Sequence, residues 1–113
     1  MPHCEVTTNV QPADTKALSL KAANLIAELL SKPLSYVTSI INHNSGMVFG
    51  GSDAPAAYIM IGSIGSVGGE KNNAIIAGVT KLFSEALGVN SERISIEIRD
   101  IPRANYGING ATL

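Results

Sequence analysis

The chain opens Met1-Pro2-His3-Cys4, and three of these four residues carry groups that can move protons or hold ions. Removal of Met1 ahead of a small second residue would leave Pro2 with a secondary amine at the chain terminus. An ordinary α-amino group titrates near about 7.7–8.0; partial burial and a nearby cation lower that toward neutrality, where a base is most useful. His3, Cys4 and His43 are the soft ligands. On a regular strand His3 and Cys4 point to opposite faces, so the three or four converging donors of a metal site are not expected. Gly62, Gly65, Gly68 and Gly69 follow a strand pattern as a phosphate-binding loop would. They match neither G-x-G-x-x-G nor the Walker pattern, and read as a flexible crossover. No G-x-S-x-G elbow supports a serine nucleophile.

The elements that must position these groups follow from periodicity. Residues 3–8 are short and carry β-branched side chains before the turn-prone Asn9, which predicts a strand. Asp14 is the expected N-cap of a helix whose Leu18, Ala22, Leu25, Ile26 and Leu29 share one face; it runs to about Leu30 and Pro33 stops it. Tyr36 to Ile41 reads as a second strand, and Met47 to Phe49 as a short one pairing back. Ala56 to Ile61 is apolar on both parities, the pattern of a central strand. A second helix carries Ile76, Val79, Phe83, Ala86 and Leu87, with Gly88 at its C-terminal end. Ile94 to Arg99 alternates: three isoleucines to one side, Ser95, Glu97 and Arg99 to the other.

The two halves repeat. Leu30-Ser-Lys-Pro-Leu-Ser-Tyr-Val-Thr and Leu87-Gly-Val-Asn-Ser-Glu-Arg-Ile-Ser share a helix end, a connection and a strand start at an offset of 57. Two βαβ units with right-handed crossovers give an α+β, two-layer domain over residues 1–113, with a four-stranded mixed sheet and both helices on one face. The other face is then bare and apolar, which calls for cover from other subunits. The tail Gly107 to Leu113, with its Asn-Gly turn pair, is a candidate to pair with a neighbour's sheet edge.

Composition agrees with that shortage of cover. Of 113 residues 45% are hydrophobic and only 4% aromatic; Lys and Arg number 8 and Asp and Glu 9, where average usage gives roughly 28 charged residues. A chain this size folds to roughly 5,900 Å² of surface, enough for one domain with a modest core. A net charge of -1 leaves no footprint for nucleic acid or an anionic membrane. The longest apolar stretch, Ala54 to Gly62, is too short to span a bilayer, and no signal-peptide layout is visible. The single cysteine excludes an intrachain disulfide and suits a reducing, cytoplasmic compartment.

A wider set of residues carries a family resemblance. Met1-Pro2, Thr8-Asn9-Val10, Lys32-Pro33 with Tyr36-Val37, Met47-x-Phe49-Gly50-Gly51-Ser52, Ser63-Ile64-Gly65, Arg93-Ile94, Asp100 and Asn109-Gly110-Ala111-Thr112 stand at the separations of the macrophage migration inhibitory factor family. That family includes D-dopachrome tautomerase and belongs to the tautomerase superfamily. The resemblance implies a homotrimer in which neighbours add edge strands, without a cofactor. It implies that processed Pro2 is the base of a keto-enol tautomerase acting on small aromatic keto or enol carboxylates of the phenylpyruvate or dopachrome type. It assigns Lys32 to the substrate carboxylate and the Ile64 backbone N–H to substrate binding.

The same resemblance marks departures. The neighbour's pocket positions usually held by an aromatic and an amide are Ser95 and Glu97 here, with Tyr106, Ile108 and Leu113 at the rim. An acidic Glu97 repels a carboxylate and raises the Pro2 pKa unless Arg99 or Lys32 offsets it, which implies weak or retuned activity. Ala56-Ala-Tyr-Ile59 replaces the Cys-x-x-Cys of vertebrate members, removing any basis for dithiol chemistry. Gln11 and Asn44 stand at the charged pair associated with chemokine-receptor binding. The alternative reading is a signalling ligand of the cytokine type with a cell-surface receptor, exported without a signal peptide and keeping only vestigial activity; an inert trimeric scaffold is the third.

Overall fold

The computed structural model describes residues 1–113. Strand β1 (His3–Thr8) leads into helix α1 (Thr15–Leu30) and strand β2 (Thr38–His43); β3 (Ala57–Ser63), α2 (Glu70–Leu87) and β4 (Ile94–Asp100) repeat the unit. The sheet order is β2-β1-β3-β4. Each βαβ unit pairs its strands in parallel, and β1 meets β3 antiparallel, so the sheet is mixed. Cys4 and Val6 of β1 and Ile59 and Ile61 of β3 face the helices and are buried with Leu18, Ile26, Ile75, Val79 and Phe83. The helices pack closely: a Cβ on Gly78 would lie 3.2 Å from Leu29 Cδ1.

Capping sets both ends of α1. The Asp14 carboxylate accepts from the Ala17 N–H at 3.0 Å, as its N-cap role requires. At the other end Ser31 adopts φ 54°, and the Lys32 and Ser31 N–H groups donate to the Ala27 and Glu28 carbonyls at 2.9 and 3.3 Å. This is a Schellman motif built on serine, where glycine would carry no Cβ penalty. We expect Ser31→Gly to stabilise the protein by about 0.5–1 kcal/mol, the left-handed penalty less the greater freedom of unfolded glycine. An unchanged or lower urea midpoint would contradict this.

Three local expectations need correction. Tyr36 belongs to a 3-10 turn, Leu34–Tyr36, that follows Pro33, so β2 starts two residues later than its β-branched pattern suggested. The buried row of α2 is Ile75, Val79, Phe83 and Leu87, an unbroken i, i+4 series, while Ile76 is exposed. Met47 to Phe49 forms no strand beyond a bridge between Phe49 and Ser52. Side chains take the partner's place there: Arg93 donates to the carbonyls of Phe49, Ser52, Ala54 and Pro55 at 3.0–3.2 Å. Asn9 Nδ2 donates to Met47, Asp53 and Ala54, and its Oδ1 accepts from the Ala56 N–H.

The helix-free face of the sheet is less apolar than expected. The strand register sets Ile40, Glu5, Met60 and Glu97 in one row, and Thr38, His3, Gly62 and Arg99 in the next. Charges and apolar groups alternate across it, and Tyr58 and Ile40 remain exposed. The tail closes on itself as a hairpin, β5 (Gly107–Ile108) with β6 (Ala111–Thr112). Asn109 and Gly110, at φ 56° and 81°, provide the two positive-φ positions of a type I′ turn. No helix is long and apolar enough to cross a membrane.

Candidate active site

A cavity of about 310 Å³ lies over the start of β1, lined by Met1, Lys32, Tyr36, Ile64, Arg103 and Leu113. The walls come from the α1–β2 and β3–α2 connections, from the segment after β4 and from the two chain ends. The Schellman end of α1 fixes the backbone of Lys32, and the turn after Pro33, closed by the Tyr36 N–H to the Pro33 carbonyl at 3.0 Å, sets Tyr36 beside it. Ile64 leaves the end of β3, where the Ile101 N–H donates to the Ser63 carbonyl at 2.7 Å and the Gly65 N–H to Asp100 Oδ1 at 3.0 Å. Arg103 stands on the 3-10 turn Arg103–Asn105 beyond β4. The hairpin returns Leu113, whose N–H donates to the Tyr106 carbonyl at 3.1 Å.

Pro2, one residue before β1, is not among the residues that line the cavity. Its carbonyl accepts from the Thr38 N–H at 3.1 Å, and it is less than 2% exposed; its chain neighbour Met1 is the residue that reaches the lining. The Met1 amine is held below its ordinary pKa by burial, then by the positive charges of Lys32 and Arg103. Burial and two cations therefore favour the neutral form of the Met1 amine. No aspartate or glutamate side chain lines the cavity.

The remaining residues singled out from the sequence fall elsewhere. Lys32 and Ile64 meet at the cavity with Leu113, but Ser95 and Glu97 lie on the helix-free face of β4, and Tyr106, just before the hairpin, and Ile108, within β5, are outside the lining. Glu97 is ion-paired to Arg99, with both side chains about half exposed at 46% and 58%. Sequence reasoning missed Arg103. The available signal was that it is the only Lys or Arg after Arg99, between strand β4 and the expected rim residues.

The soft ligands do not converge. His3 lies on the helix-free face, its imidazole over Gly62, where an added Cβ would come within 2.3 Å of it. Its pKa is lowered by burial, with Glu5 opposing and Arg99 reinforcing. Cys4 faces the core, and burial pushes its thiol up to about 12. No group of three His, Cys, Asp or Glu side chains forms a metal-holding set. At pH 8 the native protein should resist thiol-specific labelling and react only on unfolding, because the thiolate is the nucleophile; prompt labelling of folded protein would contradict the burial.

Fold and cavity together define a class: a duplicated βαβ protein of two layers, with a cationic cavity at the start of its first strand. The macrophage migration inhibitory factor family model matches residues 1–113, and the chain belongs to that family. A macrophage migration inhibitory factor homolog of Brugia malayi is 38% identical over 113 residues, covering 99% of this chain and 98% of the relative. The Trichuris trichiura homolog is 39% identical, with 99% of each chain covered. The crystal structure of the Prochlorococcus marinus homologue superposes with a TM-score of 0.92 at 30% identity, covering 97% of both chains. The Trichinella spiralis structure gives 0.92 at 29%, covering 98% of this chain and 99% of the other.

Proposed function

We propose that this protein is a keto-enol tautomerase whose base is the Pro2 amine exposed by removal of Met1. The observation that carries the reading is the convergence of Lys32, Ile64 and Arg103 on one cavity at the chain's N-terminus. A neutral amine there takes a proton from the carbon beside a ketone. The electron pair left behind forms the enol double bond, and a proton reaches the carbonyl oxygen. Lys32 holds the substrate carboxylate, the Ile64 backbone N–H binds the substrate, and Tyr36 and Leu113 give the ring an apolar wall. Both cations favour the neutral amine. The test is an assay of phenylpyruvate and dopachrome methyl ester with Met1-free protein.

In this reading the working unit is a homotrimer, with Ser95, Glu97, Tyr106 and Ile108 of a neighbour completing the pocket. The isolated chain supports it: only 21 of 113 residues are buried, and its surface is 6345 Å², above the roughly 5,900 Å² of a compact monomer of this mass. Glu97 is less of an obstacle than its charge alone suggests, since Arg99 accompanies it.

Lys32→Ala should raise KM for phenylpyruvate about tenfold, the loss expected for a charge-assisted contact. It should also move the acid limb of kcat/KM to higher pH. Lys32 lowers the pKa of the Met1 amine; acting in the same way on Pro2 it keeps the base neutral further into the acid range, and without it the base stays protonated there. An unchanged KM removes Lys32 from the anchor role.

A further inference from the structure

The cavity holds more positive charge than a monocarboxylate needs. Lys32 and Arg103 both line it, from separate connections and with no acidic side chain in the lining. The chain's one ion pair is Glu97–Arg99, so neither cation is neutralised by a carboxylate of its own chain. The acidic residue that a neighbour would bring toward this pocket, Glu97, is already engaged by its Arg99. Arg103 is exposed, so with one carboxylate bound at Lys32 its guanidinium is still available to a second anion at the other side of the cavity. A guanidinium is also the side chain best matched to a second planar carboxylate, which it can hold through two parallel N–H bonds.

We infer that Arg103 is a specificity-determining residue and that the preferred substrate is a dianion, a 2-oxo dicarboxylate held by Lys32 at one end and Arg103 at the other. Ile64, Tyr36 and Leu113 flank the short carbon chain between them. The inference rests on the Pro2 tautomerase reading for its chemistry. The C3–H bond breaks as its proton passes to the Pro2 nitrogen, the bonding pair becomes the C2–C3 double bond, and the C2 oxygen gains a proton. No oxidant or co-reactant enters.

The test compares two probes, oxaloacetate and phenylpyruvate, with Met1-free protein above the acid limb, so that a change in amine pKa does not contribute. Arg103→Ala should lower the ratio of kcat/KM for oxaloacetate to that for phenylpyruvate about 10- to 100-fold, and Arg103→Lys should restore part of it. Calorimetry provides a readout free of catalysis: glutarate should bind the wild type at least about tenfold more tightly than Arg103→Ala, with a smaller change for 3-phenylpropionate. An unchanged ratio together with equal losses of both ligands would assign Arg103 to the same carboxylate as Lys32 and overturn the inference. Unchanged binding of both ligands would overturn it as well. If the Met1-free wild type turns over neither keto acid, the Pro2 reading fails, and the glutarate comparison still decides whether Arg103 grips a second carboxylate.

Discussion

Protein freed of Met1 is expected to tautomerise phenylpyruvate about 10²–10⁴-fold faster than protein that retains it, the usual contribution of a positioned base. With Met1 in place the Pro2 nitrogen is a tertiary amide without a basic lone pair, and Pro2 is buried. In the proposed mechanism, removal of Met1 gives Pro2 a secondary amine and opens it to the cavity that Met1 lines with Lys32 and Arg103. Pro2→Gly, processed in the same way, should also lose activity, because a glycine amine is not fixed by the ring at the start of β1. Mass spectrometry establishes which form each sample contains. Equal rates for the Met1-free and Met1-retaining proteins would sink the Pro2 mechanism.

The second large effect concerns stability. Phe83 is fully buried, the largest such side chain in the molecule, in the row that α2 turns toward the sheet. Phe83→Ala removes an aromatic ring from a site enclosed by Val79, Ile75 and the β1–β3 strands and should cost about 3–5 kcal/mol. Against a total stability of about 5–15 kcal/mol, that takes the protein close to unfolding. Urea denaturation at a fixed protein concentration is the measurement, since assembly couples to folding. A loss below about 1 kcal/mol would mean that this site collapses far more readily than close packing allows.

Much of this architecture could be read before any coordinates. The clean alternation from Ile94 to Arg99, the Asp14 cap and the constant offset between the halves specify elements through local chemistry, and these elements formed as read. Where two rules competed, the reading slipped. Tyr36 has strand character, yet it lies in the turn that follows Pro33. Ile75 and Ile76 both fit a helical stripe, and only packing against the sheet selected Ile75. The segment around Met47 looked strand-like because nothing local announces that Arg93 and Asn9, more than 35 residues away, satisfy its carbonyls.

The candidate site divides along the same line. Its place behind Met1 makes Pro2 only a candidate; family resemblance is what makes Pro2, with Lys32 and Ile64, the expected site. Arg103 reaches the cavity because β4 ends at Asp100 and the turn after it brings Arg103 to the same lining as Ile64, a tertiary fact. Ser95, Glu97, Tyr106 and Ile108 belong to a neighbour's pocket in the proposed trimer, so a single chain leaves them outside its own cavity.

The central claim is that burial and the charges of Lys32 and Arg103, which lower the pKa of the Met1 amine, do the same to a chain-terminal amine at Pro2 and keep it neutral near physiological pH. The most direct measurement is a nitrogen NMR titration of Met1-free protein labelled with 15N-proline, following Pro2 in the wild type and in Lys32→Ala and Arg103→Ala. The account predicts a Pro2 pKa below the ordinary α-amino range of about 7.7–8.0, coincident with the acid limb of kcat/KM and higher in both variants. A pKa at or above that range, or one that neither substitution moves, would contradict it.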